Sequence, residues 1–224
     1  MVGITVLAGT PVTAVNAGFN ALAAAEAAMS EWEPGSRTAA LARGEAGMLV
    51  GAALALFYEV AQARTASEGA FDVCWKGGAV VISGSVVTAP DCTGLDLGGV
   101  LKGWLADRGA EALRAAGVAN FVVDVGGDVV AQGSAGDGAP GWPVVVVLAG
   151  SVERTRLVDQ ALSSAGGDQQ AGHIVDARTG RPQLAVRGVW VTAPSGLEAD
   201  TWDTATFAAG RELPLPPGVT GHIY

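Results

Sequence analysis

The chain has 224 residues, half of them apolar and 16% charged, with 33 glycines. That balance excludes intrinsic disorder and suits one well-buried domain spanning residues 1–224. A formal net charge of −9 argues against nucleic acid or an anionic membrane surface as partner. It also makes an anionic ligand hard to hold unless a carboxylate-bound metal ion neutralises it.

Residues 3–15 run apolar or alternate with Thr5, Thr10 and Thr13, a strand pattern interrupted at Gly9. The N-terminus has no basic region and no long apolar run, so no leader and no membrane span are expected, and a cytoplasmic protein follows. The alternative is an exported protein met without its leader. From Phe19 to Trp32, Leu22, Ala25, Met29 and Trp32 recur at helical spacing, and Pro34-Gly35 stops the helix. A second helix is expected over Glu45–Arg64, apolar enough in its middle to be buried. Ser67 to Asp72 breaks the pattern as a loop. Cys74 and Cys92 fit either one bridge or two core positions, and the core reading is taken. Ala79–Ser83 and Ser85–Ala89 read as a hairpin around Gly84.

Residues 95–133 carry the densest signal: a strand end, a glycine turn, an amphipathic helix and a hairpin. Asp96 precedes Gly98-Gly99, which lets the backbone pass close to a bound group. Lys102 falls in the first helical turn, where helix polarity disfavours a cation. An anion on the unpaired N–H groups of that helix start would explain it. Only Lys76 and Lys102 are lysines, so the position is informative. Leu105, Leu113 and Ala116 make the apolar face, Asp107 and Arg108 the wet one, and Gly117 the stop. Phe121–Val125 and Asp128–Val130 flank Gly126-Gly127 as a tight hairpin. One cleft is expected to gather Asp96, Gly99, Lys102, Gly126, Gly127 and Asp128.

Further on, Gly136–Gly141 is a glycine-rich loop, Val144–Leu148 a β-branched strand, and Glu153–Val158 its partner. Val186–Thr192 reads as another strand, and the proline-rich tail from Glu212 as coil. Ser195 can cap a helix in which Asp200, Asp203 and Thr204 sit at i, i+3 and i+4. Two carboxylates and a hydroxyl on one helical face suit a hard cation such as Mg2+. A solvated acidic helix start, stabilised by the macrodipole, is the plainer alternative. His173 is one of two histidines, and by itself a lone histidine in an apolar strand is more often a satisfied core residue.

Four blocks then stand in order: Gly69-Ala70-Phe71-Asp72, Asp96-Leu97-Gly98-Gly99-Val100-Leu101-Lys102-Gly103-Trp104, His173-Ile174-Val175-Asp176-Ala177-Arg178-Thr179-Gly180, and Ala199-Asp200-Thr201-Trp202-Asp203-Thr204-Ala205. In this the sequence resembles the ApbE family, the FAD:protein FMN transferases. Ala161–Gly166 is similar to that family's small-residue turn. Ala8 stands where the family usually carries a larger side chain, and the stretch from 73 to 95 is shorter than usual.

The resemblance implies an α+β domain of antiparallel sheets with packed helices, of the T-fold type. It implies Mg2+-dependent transfer of FMN from FAD to a threonine or serine hydroxyl of an acceptor flavoprotein, with release of AMP. Gly99 (through its carbonyl), Asp200, Asp203 and Thr204 would hold the metal. Ala70, Phe71, Asp72, Asp96, Lys102 and Ile174 would bind the nucleotide. His173 and Asp200 are the catalytic candidates. The alternatives are Mg2+-dependent hydrolysis of FAD to FMN and AMP, and a non-catalytic FAD-binding protein.

Overall fold

Segments of alternating apolar residues, separated by glycine turns, build the sheets, and the computed structural model describes residues 1–167 and 172–224. In chain order, β1 (Val2–Val6) leads into α1 (Val12–Met29), α2 (Arg37–Ala42), β2 (Gly47–Met48) and α3 (Gly51–Ala66). β3 (Val81–Ser83) and β4 (Val86–Thr88) precede α4 (Leu101–Ala115), β5 (Phe121–Val125) and β6 (Asp128–Gln132). Then come β7 (Trp142–Leu148), β8 (Ser151–Leu157), β9 (Ala161–Gly166), β10 (Val175–Asp176) and β11 (Arg181–Pro182). β12 (Gly188–Ala193), α5 (Gly196–Ala209) and β13 (Thr220–Ile223) complete the described chain.

Six strands form one antiparallel sheet in the order β1-β5-β6-β9-β12-β13. The period of two sorts its side chains into two cores. Phe121, Val123, Val130, Ala161, Ala165, Val189 and Val191 face the helices. Val129, Ala131, Leu162 and Trp190 face the other way, against Trp142, Val146, Leu148 and Leu157 of the β7–β8 hairpin. The result is three layers: helices, sheet, hairpin. The register Val125↔Asp128 leaves Gly126-Gly127 as a two-residue loop with φ of 66° and 101°, the mirror-image turn that glycine adopts without strain.

The α+β expectation of antiparallel sheets with packed helices holds. Several local expectations change. α1 begins at Val12 and ends at Met29, because Ala14, Gly18, Leu22 and Met29 form the buried stripe, while Trp32 lies beyond it and is 85% exposed. The expected helix over 45–64 starts only at Gly51, and Gly47-Met48 pair instead with Val86-Val87. α2 carries no signal in the expectation; Ser36 caps it, its Oγ accepting from the N–H of Ala39. Ala161–Gly166 is a central strand rather than a turn, and the tail supplies the edge strand β13. Cys74 and Cys92 form a disulfide, so both are buried and bridged at once.

α5 is buried nearly all round, wedged between the sheet, α3 and α4. The reading of Asp200 and Asp203 as a solvated acidic face therefore fails: each is at most 2% exposed.

Candidate nucleotide and metal site

The site forms where the N-terminal halves of α4 and α5 cross. Gly103 and Gly196 meet there so closely that a Cβ on Gly103 would lie 2.0 Å from the Gly196 carbonyl oxygen. Each helix start is capped by a carboxylate of the other helix. Asp107 on α4 accepts from the N–H groups of Gly196 and Leu197, at 2.8 and 3.0 Å. Asp200 on α5 accepts at 2.8 Å from the N–H of Gly103 through Oδ2. Asp107 was expected on the wet face; it is buried because it satisfies donors that no water could reach. Where a bound anion was expected on the start of α4, the Gly103 N–H is taken by the protein's own Asp200.

Lys102 projects into the same space. Its ammonium is ion-paired with Asp128 and lies 4.0 Å from Asp200 Oδ1. Asp128 is brought there by the first residue of β6 and is buried. Ser163, on the helix-facing side of β9, bridges Asp128 and Asp203, with its Oγ 2.7 Å from Asp203 Oδ2. Thr204 Oγ1 donates at 3.2 Å to Asp203 Oδ1. Asp128, Asp200 and Asp203 thus share one buried space with a single cation.

Burial raises the pKa of all three carboxyls. For Asp200, burial and the Asp128 charge push it up to about 7, against the pull of Lys102. For Asp203, burial is followed by the charges of Asp200 and Asp128; for Asp128, burial outweighs Lys102. Burial pulls the Lys102 ammonium down, but Asp200, Asp128 and Asp203 together carry it above its usual range. The cluster is short of positive charge.

Whether a divalent ion fits can be judged from the donors. Asp200 Oδ1 is not the oxygen that caps α4, Asp203 and Thr204 lie one turn beyond Asp200 on α5, and Gly99 packs against Thr204. A Cβ on Gly99 would come within 2.6 Å of Thr204 Cγ2, so only glycine brings that backbone so near. No group of three His, Cys, Asp or Glu among the described residues could hold a metal ion by itself. A mixed set of two carboxylates, a hydroxyl and a carbonyl suits a hard oxygen-seeking ion, and the charge deficit fits it.

The cluster opens into a cleft of about 640 Å³, a volume within the range for small-molecule and cofactor sites. Phe71, Asp72, Asp96, Gly99, Lys102, His173, Ile174, Asp200, Asp203 and Thr204 all line it. Ala70, expected to contact the nucleotide, does not; it is fully buried, and its carbonyl accepts the Ala177 N–H, tying the 70–72 loop to β10. Asp72 lines the wall but is engaged on both oxygens, with Arg64 at 2.5 Å and the Cys74 N–H at 2.9 Å. Asp96 Oδ1 accepts the Gly98 N–H at 2.8 Å and so shapes the glycine turn.

Among the contributors that escape the sequence reading are Trp75, Ser163, and the hairpin residues Val147 and Leu148. Period-two alternation through Ala161–Gly166 could have placed Ser163 on the helix-facing side. Nothing local points to the hairpin.

A three-layer α+β protein with an acidic, lysine-bearing cleft between a glycine turn and a buried helix defines the class: a nucleotide-sized site lined by oxygen donors. Residues 75–215 match the model of the ApbE family, and the chain belongs to that family. It is 32% identical over 132 residues to the FAD:protein FMN transferase of Escherichia coli K12, covering 53% of this chain and 37% of that protein. The one from Rhodobacter capsulatus is 30% identical over 148 residues, 59% of this chain and 28% of that protein. The matches thus span well under half of these relatives' length. In fold, the chain superposes on flavin transferase ApbE from Vibrio cholerae with a TM-score of 0.81, at 21% identity, covering 99% of this chain and 93% of that one. It superposes on Pseudomonas stutzeri flavinyl transferase ApbE with a TM-score of 0.78 at 17% identity, covering 100% and 94%. No helix among the described residues is long and apolar enough to cross a membrane.

Proposed function

We propose that this chain transfers FMN from FAD to a threonine or serine hydroxyl of an acceptor flavoprotein, with Mg2+, and releases AMP. The observation that carries the reading is the buried trio Asp128, Asp200 and Asp203 against one lysine, at the floor of a nucleotide-sized cleft, in a chain whose relatives are named FAD:protein FMN transferases.

The acceptor oxygen forms a bond to the FMN-side phosphorus, the diphosphate bridge bond breaks, and AMP leaves with the bridging oxygen. Such a displacement depends on charge neutralisation and positioning more than on a covalent enzyme intermediate. Asp200, Asp203, Thr204 and the Gly99 carbonyl would hold Mg2+, which supplies Lewis acidity at the phosphorus. Lys102, fixed by Asp128, presents its charge to the diphosphate. Phe71 and Ile174 give apolar walls to the nucleotide, with Asp72 and Asp96 at its polar edge. His173, on the cleft wall, would take the proton of the incoming hydroxyl.

The Cys74–Cys92 bridge favours an exported site of action over the cytoplasm, where thiols are kept reduced. Incubation with FAD and Mg2+, with and without a candidate acceptor domain, tests the activity. Covalent flavin on the acceptor plus AMP is expected. AMP and FMN without acceptor would indicate a hydrolase, and intact FAD under all conditions would remove the enzymatic reading.

A further inference from the structure

The β7–β8 hairpin has two unlike faces. Its inner face is buried on the sheet, and Leu148 fills a notch left by Gly166 and Gly188, register partners on β9 and β12. A Cβ on either glycine would come within 2.5 and 2.6 Å of the Leu148 side chain. That notch seats the hairpin tip beside the cleft, whose wall Val147 and Leu148 join. On the outer face Val145, Val147 and Val152 are 55%, 71% and 54% exposed. The pairings Val147↔Val152 and Val145↔Arg154 make them one patch with Arg154 at its border. Arg154 is exposed and takes part in none of the ion pairs of the described residues. Arg156, by contrast, is locked onto Asp137 and the carbonyls of Pro140 and Gly141. Among the described residues neither strand has a partner besides the other, so both outer edges are open.

We propose that this outer face docks the acceptor protein's segment that carries the flavin-accepting hydroxyl. The segment lies extended, its aliphatic side chains on Val145, Val147 and Val152 and a carboxylate against Arg154. The inference rests on the transferase reading above. A hydroxyl on a polypeptide reaches the cleft floor only if its chain crosses the rim, and Val147 belongs to both the rim and the patch. In a chain of net charge −9, an arginine bordering the patch selects an acidic flank.

The test uses the whole chain and two fluorescent threonine-centred peptides with valine-rich flanks, one bearing aspartates and the other lysines. Wild type is expected to bind the aspartate peptide and to discriminate against the lysine peptide. Val145→Glu weakens binding about tenfold, from the loss of one buried valine. Arg154→Glu inverts the charge preference, and both variants keep the wild-type affinity for FAD. Binding of neither peptide, or equal binding by wild type and both variants, overturns the docking surface. A wild-type dimer that Val145→Glu converts to monomer would overturn it too, assigning the patch to a second copy. AMP release from FAD separates the two layers of argument: FAD left intact with every acceptor removes the transferase reading and the platform with it. AMP release alongside peptide binding that ignores Val145 and Arg154 removes the platform alone.

Discussion

Ser163 has one hydroxyl proton and two carboxylates, Asp128 and Asp203, within hydrogen-bonding reach. Both contacts can be hydrogen bonds only if one carboxyl keeps a proton, which agrees with the raised pKa of each. A bound cation would release that proton and free the oxygens to coordinate. Lys102 is the one positive side chain inside this network, and its pairing with Asp128 gives a clear expectation. Lys102→Met leaves buried carboxylates uncompensated. Full burial of such a pair would put the loss at about 3–5 kcal/mol. The Lys102 side chain is 44% exposed, and solvent screening brings the expected loss to about 1–3 kcal/mol. The double variant Lys102→Met, Asp128→Asn should recover most of it in urea unfolding. Equal destabilisation in single and double variants would mean that the pair is not coupled.

At the scale of elements, α4 and α5 cap each other through Asp107 and Asp200, and the glycine contact between Gly103 and Gly196 allows the approach. Gly103→Ala would place a methyl group inside the Gly196 backbone, and neither backbone can yield as a flexible side chain could. We expect a loss of about 1–3 kcal/mol or more. FAD affinity should fall with it, because moving α5 displaces Asp200 and Asp203. Gly35→Ala, at an open exposed position, should change neither quantity and serves as the control. The disulfide belongs to the same scale. It closes a loop of 18 residues between the 70–77 segment and the glycine turn, for which chain entropy predicts about 3 kcal/mol. Thermal unfolding of the Cys74→Ser, Cys92→Ser chain should show that deficit. Phe71 and Trp75 flank the bridged cysteine on the cleft wall, so flavin affinity should decline as well.

Over the whole molecule, the buried acidic cluster links stability to pH and to divalent ions. Asp200 binds its proton more tightly folded than unfolded, with a folded pKa of about 7 against an unfolded value of about 3.9. Between those values the folded state carries more protons than the unfolded one, so raising pH destabilises it. Asp128 and Asp203 shift in the same direction. The Asp200 contribution in the metal-free protein should therefore be lost as pH rises from about 4 to 7, and Asp128 and Asp203 add losses of the same sign. Mg2+ should raise the melting temperature more at pH 8 than at pH 5, since it competes with protons for the same oxygens. Calorimetry at the two pH values with Mg2+ and with EDTA measures this. An equal Mg2+ effect at both would place the ion elsewhere.

Local patterning alone was enough for much of this chain. Runs rich in β-branched residues located β5, β7 and β12, alternation located β8, two adjacent glycines fixed the β5–β6 turn, and the spacing of Asp200, Asp203 and Thr204 put three oxygens on one helical face. Those features depend on φ, ψ and periodicity, which neighbouring residues set. Tertiary structure decided what each face meets. Asp200 reaches the N–H of Gly103 across 97 positions of sequence, and Asp107 reaches Gly196 across 89. No local preference encodes either contact, so the anion at the start of α4 could be inferred while its identity could not. The same holds for Asp107, polar by type yet buried as a cap, and for the tail, whose coil-like composition hides an edge strand that only β12 can template. It holds also for the valine patch on β7–β8. Its alternation is ordinary for a strand, and only the seating of Leu148 between Gly166 and Gly188 sets it at the mouth of the cleft.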